Sequence, residues 1–209
     1  MSPADAIRFK GVTDMRRSRI ALVVLGLLLG AMLTASSAIG HFPRAKIVRW
    51  DLIEIADGAA LVGGEDVATN PSTGESITLT GSGHVRPRSH EAFGGGTFVH
   101  EDVDGNEVAV GTYHVTRFLS FRRLRGGNFA ATGLIDAIGD PTEASSGIMR
   151  VRIRMLPEGG SARDAVLEVH CHLPGTVEET FEGVRLRIGS QVFEPDPERH
   201  GATLFHVMR

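Results

Sequence analysis

Along most of the chain the apolar positions recur at every second residue. ITLT at 77–80 alternates in this way. RVRIRM at 150–155 sets Val151, Ile153 and Met155 against Arg150, Arg152 and Arg154. AVLEVHCH at 165–172 sets Ala165, Leu167, Val169 and Cys171 against Glu168, His170 and His172. VRLRI at 184–188 sets Val184, Leu186 and Ile188 against Arg185 and Arg187. Successive side chains of a strand point to opposite faces, so this period predicts strands with one buried and one wet face. Looser versions of the pattern predict strands over 47–55, 96–101, 107–121, 128–136 and 202–207. No long stretch has the 3.6-residue period of an amphipathic helix.

Turn chemistry separates these runs: NPSTGE at 70–75, Asp104-Gly105, RGGN at 125–128, PEGGSA at 157–162 and LPGT at 173–176. Short strands divided by turns predict an all-β chain, an antiparallel β-barrel or β-sandwich of about 8–10 strands. The acidic stretch HEDVDGNEVA at 100–109 fits the same scheme. Read as a calcium loop starting at Asp102, it has Glu107 where glycine is required and Tyr113 where glutamate is required. Read as a hairpin, Asp104-Gly105 supplies the tight turn between two strands.

The N-terminus follows a different pattern. Arg16, Arg17 and Arg19 precede the uncharged apolar run at 20–33, and small residues follow to Gly40. That order predicts a secretory signal peptide, cut after Ala38 or Gly40. The uncharged stretch from Ile20 to Gly40 is also long enough for an uncleaved anchor helix. Translation starts at Met1 or at Met15, the latter giving a compact signal of its own. Ser18 and Arg19 after the arginine pair do not fit a twin-arginine signal. The expected organisation is an N-terminal extension plus signal over 1–40 and a single β-rich extracytoplasmic domain over 41–209. The product is expected to be exported: secreted, periplasmic or held at the cell surface.

Charge and cysteine use narrow the function classes. From residue 41 onward the chain has 17 basic and 23 acidic residues, a net of −6. An acidic domain is a poor general binder of nucleic acid, so no nucleic-acid partner is expected. Contact with a membrane is expected only through the N-terminal segment, if that is retained. Cys171 is the single cysteine, so no internal disulfide forms, and its place on an apolar face predicts a buried small hydrophobe.

Several residues are candidates for chemistry. His170 and His172 share a strand face and could chelate one metal ion, although a zinc site needs more ligands than these two. With strands 147–156 and 164–173 paired, Arg152 is expected near Glu168 and Arg150 near His170, flanked by Arg185 and Arg187. That arrangement reads as a solvated charge ladder, with an anion site as the alternative. His84 and His90 lie in the Gly-rich stretch 81–98, which reads as a flexible connector or a mobile loop near a ligand. RFLSFRRLRGG at 117–127 reads as a strand end entering a charged turn, with contact to lipid or glycan as the alternative. Trp50 reads as core. No nucleophile elbow, zincin motif or P-loop is present, and no catalytic residue and no cofactor are assigned.

The leading expectation is a non-catalytic binding or structural module for an unidentified ligand or surface partner. The alternative is a β-barrel enzyme, an isomerase, cyclase or metal-dependent enzyme, using His170 and His172 or the barrel interior. Polar residues along the interior would favour the enzyme; the alternation predicts an apolar interior for the C-terminal strands. Signal cleavage is checked by the intact mass of the exported protein. The mature N-terminus is expected at Ile39 or His41, and the uncut mass would mean an anchor.

Overall fold

The computed structural model describes residues 47–196, 198–199 and 201–208. The signal or anchor segment and the choice of start at Met1 or Met15 lie outside the described residues. The described residues contain fourteen strands and a 3-10 turn at Phe129–Thr132. The first five strands are β1 (Ile47–Ala56), β2 (Ala60–Gly63), β3 (Glu65–Thr69), β4 (Ser76–Thr80) and β5 (Ser82–Arg86). The next five are β6 (Glu91–Glu101), β7 (Glu107–Arg123), β8 (Ile135–Asp136), β9 (Ala144–Ser145) and β10 (Gly147–Pro157). The last four are β11 (Arg163–Cys171), β12 (Gly183–Ile188), β13 (Gln191–Pro195) and β14 (Ala202–Met208).

Eight of these strands close a ring of antiparallel neighbours. The order is β3-β4-β6-β7-β10-β11-β12-β13 and back to β3. The fold is therefore a closed β-barrel and not a sandwich. Closure removes the exposed strand edges that an open sheet must otherwise protect. The interior carries the alternating apolar set: Met149, Val151, Ile153 and Met155 from β10, Ala165, Leu167, Val169 and Cys171 from β11, Val184 and Leu186 from β12. The apolar interior expected for the C-terminal strands is present.

The remaining strands build on one strand of the ring. Residues 98–101 of β6 pair with β4, whereas residues 91–95 pair with β5. From β5 the sheet runs on to β1, β14 and β9. Trp50, Leu52, Leu204 and Phe205 from β1 and β14 belong to the same hydrophobic core as the ring. Among the described residues the core runs from Val48 to Val207, within the domain expected over 41–209.

The Gly-rich stretch 81–98 is not a loop. It forms β5, a tight turn and most of β6. Its glycines answer to close packing. A Cβ on Gly83 would lie 2.8 Å from the Trp50 indole nitrogen, and one on Gly96 would lie 1.9 Å from the Thr80 carbonyl oxygen. A sequence with so few apolar side chains gives no periodic strand signal, because its role is to let Trp50 and the neighbouring backbone approach. The stretch 128–136 also departs from expectation. It forms the 3-10 turn and the two-residue β8, with Asn128 Oδ1 accepting from the Ala130 N–H to cap the turn.

Four hairpin turns lie at one end of the barrel, after β3, β6, β10 and β12. The link after β6 is the expected Asp104-Gly105 turn, with Asp102 Oδ1 accepting from the N–H groups of Asp104 and Asn106. At the other end β14 covers the barrel through Thr203 and Phe205.

Gly96→Ala is expected to destabilise the protein by more than about 2 kcal/mol, since backbone must move to admit the methyl group. Gly63→Ala, with nothing within 4 Å of its Cβ, is expected to change stability by less than about 0.5 kcal/mol. Chemical denaturation of both variants beside the parent checks the contrast.

Candidate functional site

The hairpin end of the barrel is open and holds a pocket of about 340 Å³. Its floor is the inward face of the ring: Ile77 on β4, Phe98 and His100 on β6, Met155 on β10 and Phe193 on β13. Ala109 and Val108 of β7 form one wall, and the β10–β11 hairpin with Glu158, Gly159, Gly160 and Arg163 forms another. The size and largely apolar lining match a small-molecule site.

His100 is the polar exception on that floor. Strand alternation places it on the face of Phe98, and its ring stands edge-on to Phe193 with centroids 5.9 Å apart. Its Nε2 is buried and has no hydrogen-bond partner among the described residues. An orphaned buried polar atom costs about 1–3 kcal/mol, so natural folds keep few of them. At the rim, the Arg163 guanidinium makes no ion pair or hydrogen bond with any described residue.

The residues singled out from the sequence lie elsewhere. His170 is on the outer face of β11 but is not wet. The 172–182 segment folds back over it, so that Phe181 stacks on the imidazole at 3.7 Å between centroids. Its Nδ1 lies 2.6 Å from Thr180 Oγ1 and its Nε2 3.3 Å from Glu168 Oε2, so both ring nitrogens are engaged by protein. Burial lowers its pKa, against the opposing pull of Glu168. His172 lies past the end of β11 and is exposed. Among the described residues no three His, Cys, Asp or Glu side chains gather at metal-binding distances.

The arginine ladder exists in a different register from the one expected. Arg150 stands opposite Glu168, Arg152 opposite Val166, and Ile148 opposite His170. The reason is the turn. Gly159 takes the positive φ of 66° and centres the hairpin on itself, one residue earlier than the pairing expected from the sequence, which shifts every cross-strand pair by two. Glu168 is then bonded on both sides, 3.0 Å from Arg150 and 3.6 Å from Arg185, and Arg185 also reaches Glu194 at 2.6 Å. Arg187 points outward on β12 with no acidic partner among the described residues. His84 lies on β5 against Phe93, in a shallow groove of about 430 Å³ with Arg49 and Arg86. His90 sits in the turn before β6 with its ring edge towards Phe118. The structure brings neither histidine to the barrel mouth.

Two buried polar clusters left no motif in the sequence. In one, His206 Nε2 lies 2.7 Å from Asp136 Oδ2, and its Nδ1 faces Asp51 Oδ2 at 4.0 Å. Arg49 holds the other oxygen of Asp51, and burial nonetheless raises the Asp51 pKa. These residues are about 70 or more positions apart or two apart on one strand, and no local spacing signals them. In the other cluster Glu182 Oε1 accepts from the Thr203 N–H at 2.7 Å, and its Oε2 accepts from the His172 N–H. Thr203 Oγ1 lies 2.6 Å from the His170 carbonyl and 2.9 Å from Glu182 Oε1. The hydroxyl has one proton, which it can donate to either of these two acceptors. Burial pushes the Glu182 pKa up to about 7, against the opposing pull of the hydrogen bonds from His172 and Thr203. Cys171 beside it is buried, and its thiol pKa is raised well above the ordinary value by desolvation.

No protein-family model, no curated protein and no solved structure matches the chain.

Glu182 has a definite consequence for stability. Its folded pKa lies above its ordinary 4.5, so between 4.5 and about 7 the native state keeps a proton that the unfolded chain releases. Its contribution is full below that window and is lost as pH rises through it. The stability of the parent relative to Glu182→Gln is therefore expected to fall from pH 5 to pH 8. Taking the difference between the two proteins cancels the opposite trend from His170, and denaturation at several pH values measures it.

Proposed function

We propose that the chain is an exported, non-catalytic binding module. Its barrel takes one small molecule with an apolar body and a single polar group at the hairpin mouth. The observation that carries this reading is the orphaned Nε2 of His100 on the otherwise apolar floor of the pocket. A ligand group that bonds this nitrogen recovers the cost of leaving it unpaired, and it rejects apolar analogues that lack the group. The free Arg163 at the rim favours an acceptor or an anionic head. The apolar lining supplies affinity through burial, and the ring strands hold the floor rigid.

An enzyme needs several polar groups converging on one reacting atom. The floor presents one, and His206 with its aspartates does not line the mouth. Binding is therefore the better account of this geometry.

The test uses residues 41–209 and anilinonaphthalene sulfonate, a fluorescent probe with an apolar body and an anionic head. One saturable site is expected in the parent. Ala109→Trp, which fills the pocket from the β7 wall, is expected to weaken the probe by at least about tenfold. His100→Phe removes the orphan and is expected to raise stability by up to about 1 kcal/mol while also weakening the probe. Unchanged binding in Ala109→Trp would place the site elsewhere and sink the proposal.

A further inference from the structure

The outer surface of β7, β10, β11 and β12 has its charges in lateral rows, because antiparallel register lines up side chains across strands. One row is Arg150 on β10, Glu168 on β11 and Arg185 on β12, with Glu194 on β13 completing it. Every charge in that row is paired. The row towards the mouth has Arg154 on β10 bonded to Asp164 on β11 at 2.9 Å. Between these two paired rows lies a third of another kind. Arg117 on β7 stands directly opposite Arg152 on β10, Arg152 opposite Val166 on β11, and Val166 opposite Arg187 on β12. All three arginines are exposed, and none has a hydrogen-bond or ion-pair partner for its guanidinium among the described residues.

Like charges directly opposite one another on neighbouring strands are destabilising. The same surface pairs its arginines one step above and one step below, so this row keeps an uncompensated positive charge in a chain that is otherwise net acidic. A local conflict of that kind is tolerated where function requires it. We propose that this face is a docking surface for an acidic polysaccharide, whose carboxylate or sulfate groups seat on the row Arg117, Arg152 and Arg187.

Three features select that partner. The row crosses three strand steps, about 14 Å at ordinary strand spacing, which is longer than one oxyanion and suits a chain of repeated anions. All three cations are arginine, whose fork bonds carboxylate and sulfate oxygens in pairs. Leu156, beyond Arg154 on β10, is the one exposed large apolar side chain among the described residues that shares this face, so the face offers a bilayer a single aliphatic side chain and bases no exposed aromatic platform on which to stack.

The experiment uses the full chain in a neutral detergent and heparin as the acidic polysaccharide, followed by calorimetry at two salt concentrations. The parent is expected to bind, more weakly at the higher salt. Arg152→Gln/Arg187→Gln is expected to bind about tenfold more weakly and with a shallower salt dependence. The charge-matched pair Arg88→Gln/Arg125→Gln, away from this face, is expected to bind like the parent. Equal weakening by both pairs would mean that net charge alone acts, and would overturn the proposal. Preferential binding of single-stranded DNA would overturn it in favour of nucleic acid. Loss of heparin binding when phosphatidylglycerol is added to the micelles would overturn it in favour of a lipid surface.

Discussion

The divided pairing of β6 is the constraint on which the rest of this structure depends. One half of the strand bonds β4 and closes the ring; the other half bonds β5 and starts the sheet that leaves it. Both are possible only because the backbone comes close at Gly83, Gly94 and Gly96, where a side chain would strike Trp50 or a neighbouring carbonyl. Closure forces the interior to be filled from alternating positions. The departing sheet carries Trp50, Leu52, Leu204 and Phe205 into the same core. One end of the barrel is thereby covered, and the hairpin end is left as the place where a pocket forms.

Burial then sorts the polar groups by what they cost. Outside, the arginines stay solvated and are free to be paired or unpaired according to register. Inside, several ionisable groups are held by a specific arrangement. Glu182 accepts from two backbone N–H groups, and burial raises its pKa. Asp136 accepts from the N–H groups of Ile138 and Gly139 as well as facing His206. His100 Nε2, His206 Nδ1 and Asp51 Oδ2 all lack a hydrogen-bond partner among the described residues, but the last two face each other in the buried cluster, whereas His100 lies on the floor of the open mouth. An orphaned nitrogen on the floor of an open pocket, where a ligand can reach it, is what points to the mouth as the functional site.

Much of the architecture was legible in the chain. The alternation in 150–155, 165–172 and 184–188 identified strands and their buried faces, since a period of two has only one structural meaning. The Asp104-Gly105 turn was legible for a similar reason: few residues accept its backbone geometry. The Gly-rich stretch was not legible as strand, because its glycines record contacts with Trp50 on a distant segment. The register of the β10–β11 hairpin was misjudged because PEGGSA offers two adjacent glycines, and which one takes the positive φ moves every pair along both strands.

The sequence by itself therefore determined the class of fold, the inward and outward faces of its regular strands, and the burial of Trp50 and Cys171. These follow from local periodicity and from the water-aversion of individual side chains. Only the tertiary structure decided that the ring closes, that a loop covers His170, that His100 meets Phe193 at an open mouth, and that three arginines fall into one unpaired row. Each of these depends on which strands become neighbours and in what register. That choice is fixed by long-range hydrogen bonding and core packing, and it leaves no trace in local spacing.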